Sequence, residues 1–165
     1  MTKITPITFV STDIDQIADF KGRVAVFIDP EGRMDAGARR VNKLMRGALV
    51  RVSEDEDFGK SKPGHALTLA YPAGMAAEAV DVIHLPRRAT GADARKAGAA
   101  LAKKRGKANV LVLAAGMRQV AELAFAVAMR DYAYEAQKSD PKEQQGEVTI
   151  MCSKPDDATD QAAPR

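Results

Sequence analysis

The segment Val110-Leu111-Val112-Leu113-Ala114-Ala115-Gly116-Met117 decides the fold class of this chain. Its first five residues are all apolar. A short apolar run of this kind indicates a strand that is covered on both faces, and such strands occur mainly in parallel sheets. The segment therefore predicts an α/β domain in which a buried strand leads into a helix.

Helices are predicted on both sides of this strand. The preceding helix covers residues 90–105, where Thr90 and Asp93 have the spacing of a capping box. Gly106 is predicted to end that helix. The following helix covers residues 118–136, and its predicted buried positions are Val120, Leu123, Ala124, Val127 and Ala128.

Further strands are predicted from short runs of apolar and β-branched residues, at 4–10, 23–28, 65–71, 79–85 and 147–152. Strands that alternate with helices of ten or more residues indicate a largely parallel sheet with helices on both faces. The first and last strands are predicted at the edges, as candidates for antiparallel pairing.

Between the second and third strands, the turn residues Asp29-Pro30-Glu31-Gly32 precede a helical pattern over residues 35–52. Gly47 within that pattern indicates either a close backbone approach or an early end of the helix. Residues 57–64 are predicted to form a loop or hairpin.

Length and composition indicate one globular domain. The chain has 165 residues, of which 45% are hydrophobic and 28% are charged. A chain of this size buries a core of ordinary proportions. We expect a domain over residues 1–153 and a polar linker or tail over residues 154–165.

The compartment is predicted from what the sequence contains. Cys152 is the only cysteine, so no intrachain disulfide is possible and a reducing compartment fits best. The first ten residues lack the apolar run of a signal peptide, and no apolar run approaches the length of a membrane helix. We therefore expect a cytoplasmic protein without a membrane partner.

Residues that carry chemistry are scarce in this sequence. The two histidines, His65 and His84, both fall in predicted strands and have no cluster of metal-ligand spacing around them. The patterns of phosphate-binding loops, dinucleotide-binding loops and nucleophile elbows are absent. The histidines are predicted to be structural and Cys152 to be packed, so no catalytic, cofactor-binding or metal-ligating residue is assigned.

Two features leave a binding function open. The junction Ala114-Ala115-Gly116-Met117 lies where a strand enters a helix, a position at which an anion or nucleotide can bind; any α/β domain has such a junction. Basic residues recur along the chain and would track a phosphate backbone if they converged, although charge runs commonly only solvate a surface. They are Arg39, Arg40, Lys43, Arg46, Arg87, Arg88, Lys103, Lys104, Arg105 and Lys107.

The middle of the chain has an individual pattern: Asp57-Phe58-Gly59-Lys60, then Gly64, Leu69 and Pro72-Ala73-Gly74-Met75, with Gly47-Ala48-Leu49 in the same register. This pattern resembles the N-terminal domain of the leucine aminopeptidase (cytosol aminopeptidase) family. A second match is Tyr132-Ala133-Tyr134-Glu135-Ala136-Gln137-Lys138 at the end of the last long helix, where Ala133, Ala136 and Gln137 differ from the family pattern. The resemblance extends from about residue 20 to about residue 153.

The resemblance implies a macro-domain-like, three-layer α/β fold and a division of labour. In this family the two-metal active site, with its Asn-Thr-Asp-Ala-Glu-Gly-Arg-Leu motif, belongs to a C-terminal domain, and that motif is absent here. The chain alone is therefore expected to be inactive and to contain no cofactor. Two zinc or manganese ions are implied for the complete enzyme.

The implied partners are the C-terminal catalytic domain of the same polypeptide and further copies in a homo-oligomer, which is a hexamer in this family. DNA is an additional partner in some bacterial relatives. The alternative interpretation is a stand-alone α/β module that binds nucleic acid or a nucleotide-like ligand.

Overall fold

A mixed sheet of six strands lies at the centre of the computed structural model. The structure describes residues 6–86, 88–105, 108–115, 117, 119–137, 146–153 and 155, without the side chains of 131–137. The strands are β1 (Ile7–Ser11), β2 (Arg23–Ile28), β3 (Ala66–Ala70), β4 (Ala79–His84), β5 (Val110–Leu113) and β6 (Val148–Cys152). They lie in the order β1-β6-β5-β2-β4-β3, and every neighbouring pair is parallel except β3 with β4.

Helices cover both faces of this sheet. One face carries α1 (Ala36–Leu44), α2 (Ala48–Glu54), α3 (Glu56–Gly59) and a short 3-10 helix (Ile14–Gln16). The other carries α4 (Gly91–Arg105) and α5 (Val120–Gln137). Each set of helices buries its own apolar cluster against the sheet, so the predicted three-layer α/β class is confirmed.

The buried strand from which the fold class was predicted is present as β5. All four residues of β5 are buried, because β2 and β6 flank the strand and helices cover both of its faces. The capping box of α4 is also confirmed: the Asp93 amide donates to Thr90 Oγ1 at 3.1 Å. The helix after β5 forms as predicted, although Ala128 is only partly buried.

The prediction for the edges of the sheet is wrong in part. β1 lies at an edge but runs parallel to β6, and β6 lies inside the sheet between β1 and β5. The antiparallel edge strand is β3, which a hairpin over residues 71–78 joins to β4. A hairpin reverses the chain, whereas the crossover through α5 returns it parallel to β5.

The helix predicted over residues 35–52 is two helices. Arg46 and Gly47 both have positive φ, 56° and 88°, and they separate α1 from α2. The side chain of Asn42 accepts a hydrogen bond from the Val50 amide at 3.1 Å, across this break. The early helix end that Gly47 indicated is therefore confirmed.

Residues 57–64 were predicted to form a loop or hairpin, and this prediction is wrong in part, because residues 57–59 belong to α3. The Asp55 side chain accepts a hydrogen bond from the Phe58 amide at 3.0 Å and thereby begins α3. Phe58 is buried against both histidine rings. Several predictions lie outside the described residues, among them the start of the first strand at Ile4, Gly106, Lys138, and the tail over 154–165 apart from Pro155.

A buried ion pair ties the central strands to β3. The Arg23 guanidinium donates two hydrogen bonds to Asp81, at 3.0 and 2.6 Å, and Thr68 Oγ1 donates to the same carboxylate at 2.7 Å. Asp81 is fully buried. The Asp81 hydrogen bonds raise the pKa of Arg23 above its usual value, so this guanidinium stays charged.

Close packing joins α4 to α5 on the other face. A β-carbon placed on Gly98 would lie 2.4 Å from the Leu123 carbonyl oxygen and 2.9 Å from the Ala126 β-carbon. The two helix backbones therefore approach more closely than any residue but glycine allows at this point.

Candidate functional site

A cavity of about 370 Å³ opens at the carboxyl ends of β2, β4 and β5. In the strand order, β2 lies between β4 and β5, so the chain crosses over β2 on its way from β4 to β5. Ligands of open α/β sheets bind in the crevice at such a point. The volume falls in the range of small-molecule sites.

The cavity walls are mostly apolar, with charged groups at a few positions. The apolar lining comes from Phe27, Met34, Ala36, Leu85, Pro86, Ala89, Ala114, Ala115 and Met117. The charged lining residues are Asp29, Arg33, Asp35 and Arg39. Such a surface suits a ligand with a flat or apolar body and polar substituents.

Asp29 holds the loop after β2 in place. Its Oδ1 accepts hydrogen bonds from the Glu31 amide at 2.9 Å and the Arg33 amide at 2.8 Å. Gly32 completes this turn with a φ of 82°. Asp29 is buried, with 8% of its surface exposed. The loop therefore places a rigid carboxylate on the cavity wall.

The first turn of α1 forms a second part of the wall. Asp35 caps the helix, because its Oδ1 accepts a hydrogen bond from the Ala38 amide at 2.8 Å. A β-carbon on Gly37 would lie 3.0 Å from the Leu113 β-carbon, so α1 sits directly against the end of β5. This contact fixes α1 beside the strand whose carboxyl end borders the cavity.

The strand-to-helix junction lies in the same cavity. Ala114, Ala115 and Met117 are lining residues, and the Met117 amide donates to the Ala114 carbonyl at 3.1 Å. Gly116, the fourth residue of the predicted junction, lies outside the described residues. The junction that the sequence offered as a place for an anion or nucleotide therefore lies at a cavity, and ligand binding there stays a prediction.

The two arginines of the cavity differ in their partners. Arg33 forms an exposed ion pair with Glu31 at 2.6 Å. Arg39 lies on the exposed side of α1 and reaches the cavity one turn after the helix begins. Arg39 is therefore the cation best placed to meet an anionic ligand.

The histidines lie apart from the cavity lining and form a structural cluster with Phe58. His84 ends β4, is buried, and lies with its ring centroid 5.3 Å from that of Phe58. Its Nδ1 lies 2.8 Å from Ser61 Oγ, which itself donates to the Phe58 carbonyl. The Ser61 hydroxyl hydrogen is thus used, so we assign Nδ1 as the donor and the neutral tautomer to His84.

Burial lowers the pKa of His84 from its usual value of 6.5, and its Nε2 has no partner among the described residues. The unfolded chain therefore binds a proton at higher pH than the folded chain. We expect the free energy of unfolding to decrease as the pH falls below about 6.5 and to be constant, for this group, above it. Denaturant unfolding at pH 5 to 8 measures this, and His84→Gln should flatten the slope; an equally steep slope in that variant would contradict the assignment.

The basic residues that would track a phosphate backbone if they converged do not converge in the part of the chain that the structure describes. Arg39, Lys43 and Arg46 follow the exposed side of α1, whereas Lys103 and Lys104 end α4 on the opposite face of the sheet. Arg105 is wrong as a surface residue: it is 2% exposed and donates to the carbonyls of Ala108 and Gly146. Arg87 and Lys107 lie outside the described residues.

Among the described residues, no group of three or more His, Cys, Asp or Glu side chains is placed to hold a metal ion. The ligand set of a two-metal centre is thus not found in the described part of the chain. Cys152 is buried at the end of β6, as predicted. No described helix has both the length and the apolar character needed to cross a bilayer.

Sequence reasoning missed most of the cavity. It treated Asp29 only as part of a turn and Arg39 only as part of a charge run. A signal was present in both cases, because the two residues follow a buried strand at the edge where ligands bind. Asp35 had a similar signal as the residue before a helical pattern.

Two curated relatives match almost the whole chain, whereas no protein-family model matches it. The probable cytosol aminopeptidase of Dinoroseobacter shibae is 44% identical over 158 residues, which are 96% of this chain and 32% of the relative. The protein of the same name from Cereibacter sphaeroides is 44% identical over 164 residues, 99% of this chain and 34% of the relative. The chain thus spans about a third of the length of these relatives, and the predicted resemblance is confirmed.

Solved macrodomains share the fold. The Trypanosoma brucei macrodomain in complex with ADP-ribose matches with a TM-score of 0.61 at 9% identity, over 96% of this chain and 72% of the macrodomain chain. The macrodomain of Mycobacterium tuberculosis DarG matches with a TM-score of 0.56 at 13% identity, over 89% of this chain and 97% of that one. A second Trypanosoma brucei macrodomain structure, in complex with ADP, matches with a TM-score of 0.60 at 8% identity, over 95% of this chain and 67% of that one. The macro-domain-like fold is confirmed.

Proposed function

The chain is similar along almost its whole length to about a third of each cytosol aminopeptidase relative, and from this premise we propose that it is the non-catalytic N-terminal domain of such an enzyme. The sequence identity of 44% is the observation that carries the proposal. In this proposal residues 1–153 form the domain and residues 154–165 lead toward a catalytic domain.

The chemistry of the described residues favours a non-catalytic role for this domain. The cavity lining contains no histidine, cysteine, serine or threonine among the described residues. In our proposal the remaining two thirds of the polypeptide hold two divalent metals, zinc or manganese, and remove N-terminal residues from peptides. The domain helps to organise a cytoplasmic homo-oligomer, a hexamer as in the family.

We expect the isolated chain to hydrolyse leucine amide no faster than buffer does, with or without zinc or manganese. The reason is that no described residue supplies the metal-bound nucleophile that peptide hydrolysis of this kind uses. The measurement is release of ammonia at millimolar substrate. Metal-dependent turnover by this chain, abolished by a chelator, would contradict the proposal.

The source gene gives a second test of the same proposal. The codons that follow Arg165 are expected to encode a segment with the two-metal motif of the family. A reading frame that continues without that motif would overturn the assignment.

The cavity supports a second candidate function, the binding of a nucleotide-like ligand. The cavity lies at the strand-to-helix junction and at the point where the strand order reverses, which is the usual ligand position in such sheets. Two of the solved structures that share this fold are complexes with ADP-ribose and ADP. The separation of the basic residues on opposite faces favours a small ligand over a nucleic acid.

The described residues suit the parts of such a ligand. The apolar walls accept a base or ribose, and Asp29 offers a carboxylate to amino or hydroxyl donors. Arg39 lies where it would meet a phosphate. A guanidinium binds phosphate through charge-assisted hydrogen bonds, which are about twice as strong as neutral ones.

Arg39→Ala is expected to weaken binding of ADP-ribose at least tenfold, since a hydrogen bond to a charged group contributes about 1.5–3 kcal/mol. Titration calorimetry with ADP-ribose and ADP measures this. Arg51→Ala is the matched control, because Arg51 is an exposed arginine of α2 that does not line the cavity. An unchanged melting temperature of the parent chain with either nucleotide in large excess would reject this candidate function.

A further inference from the structure

The outer edge of β3 is open along its whole length. Its only neighbour among the described strands is β4. The Tyr71 amide donates to the Glu78 carbonyl and the His84 amide to the His65 carbonyl, each at 2.8 Å. Residues 65, 67, 69 and 71 therefore direct their backbone groups toward β4, and Ala66, Thr68 and Ala70 direct theirs outward.

This edge lacks the features that keep edge strands apart. No charged side chain occurs between Lys62 and Glu78. Edge strands of monomeric proteins commonly carry lysine, proline within the strand, or a bulge that prevents pairing with another chain. β3 carries none of these, and its pairing with β4 is continuous over all five residues.

Apolar side chains are exposed beside the open edge. Leu67 is 40% exposed and Tyr71 is 84% exposed. Tyr71 also has a φ of 50°, a left-handed conformation that is unfavourable for an aromatic residue. Strained backbone that places a large apolar side chain in solvent is typical of a functional surface.

We propose that β3 is an interface at which two copies of this chain pair their β3 strands antiparallel, with Thr68 on the two-fold axis. The register follows from the outward backbone groups. Ala66 of one copy then opposes Ala70 of the other, and Thr68 opposes Thr68, so every outward amide and carbonyl finds a partner. The two sheets become one continuous sheet of twelve strands, twice the six of one copy.

The side chains fit this register. Leu67 of one copy lies opposite Leu69 of the other, twice about the axis. Cross-strand pairs of apolar residues stabilise antiparallel sheets. No charges oppose one another, because residues 66–70 are all uncharged. A self-complementary edge favours a second copy of the chain over an unrelated peptide.

This inference rests on the organising role proposed above, and it is tested by cross-linking. Leu67→Cys/Leu69→Cys places two thiols at a pair within the strand that is not hydrogen-bonded, where opposing Cα atoms lie about 4.5 Å apart and permit a disulfide. Oxidation is expected to give a covalent dimer that reductant reverses. The single variants are matched controls and should remain monomeric on the gel, because each leaves its thiol opposite a leucine.

Charge insertion gives the second arm. Leu67→Lys is expected to weaken self-association at least tenfold in sedimentation equilibrium, since each lysine introduces a charge beside an apolar cross-strand pair. Phe125→Lys is the matched control: Phe125 is 56% exposed on α5, away from β3, and its variant should associate as the parent does.

Three results would overturn the interface: a parent chain that stays monomeric at 1 mM, a double variant that does not cross-link, or loss of association in Phe125→Lys but not in Leu67→Lys. The last result would assign the interface to α5. None of them affects the domain assignment, because leucine amide hydrolysis by the isolated chain and the codons that follow Arg165 test that separately.

Discussion

Asp81→Ala is expected to destabilise the fold by about 3–5 kcal/mol, the usual result of removing one partner from a buried ion pair. The change leaves the Arg23 guanidinium in a largely buried position without its two carboxylate hydrogen bonds. It also removes the acceptor of the Thr68 hydroxyl. The side-chain hydrogen bonds that connect β2, β3 and β4 are then lost, so the effect should exceed that of most single substitutions.

Denaturant unfolding of the parent and of Asp81→Ala measures this difference. Glu31→Ala is the matched control, because it breaks the Arg33–Glu31 pair, whose side chains are 58% and 69% exposed. An exposed pair contributes about 0–1 kcal/mol, so this control should unfold almost as the parent does. Equal losses in the two variants would show that burial does not determine the strength of these pairs.

Gly98→Ala is expected to destabilise the fold by about 2 kcal/mol, although alanine is the better helix former. Alanine gains about 1 kcal/mol in helix propensity at an interior position. Against this, its β-carbon would lie 2.4 Å from the Leu123 carbonyl oxygen, so α4 and α5 must move apart. Moving them also loosens the apolar cluster that both helices bury.

Gly59→Ala separates the steric effect from the loss of glycine. Gly59 is also helical, but no heavy atom lies within 4 Å of a β-carbon built there. We expect the Gly59→Ala variant to be as stable in thermal unfolding as the parent chain, or slightly more stable. A Gly98→Ala variant that is as stable as the parent would contradict the close helix contact.

The features that sequence reasoning predicted best depend on neighbours in the chain. The apolar run of β5 and the capping box of α4 are local patterns, and both are present. The break at Gly47 was indicated by one residue of low helix propensity. The fold class followed because strands and long helices alternate, which few architectures accommodate.

Features that depend on distant pairing were harder to predict. The orientation of β1 and the interior position of β6 depend on hydrogen bonds to strands more than a hundred residues apart in sequence. Asp81 is a carboxylate within an apolar strand, and its partner Arg23 lies 58 residues away in the sequence. Arg105 looked exposed because its sequence neighbours are lysines, whereas carbonyl groups brought near by the fold bury it.

The candidate cavity was only partly predicted for the same reason. The Ala114 junction was identified because it is local. Asp29, Asp35 and Arg39 join it only once β2 and α1 lie beside β5. A single sequence does not encode that adjacency in any short pattern.

The central claim is that this chain serves as the N-terminal domain of a metal-dependent aminopeptidase. A chimera tests it most directly: this chain replaces the matched third of the Dinoroseobacter shibae relative, joined to that protein's remaining two thirds. The measurement is hydrolysis of leucine amide with manganese or zinc by the chimera, by the relative and by the remaining two thirds alone. We predict activity in the chimera within about tenfold of the relative, with oligomer formation restored. A folded chimera that is no more active or oligomeric than the remaining two thirds alone, beside an active relative, would contradict the account.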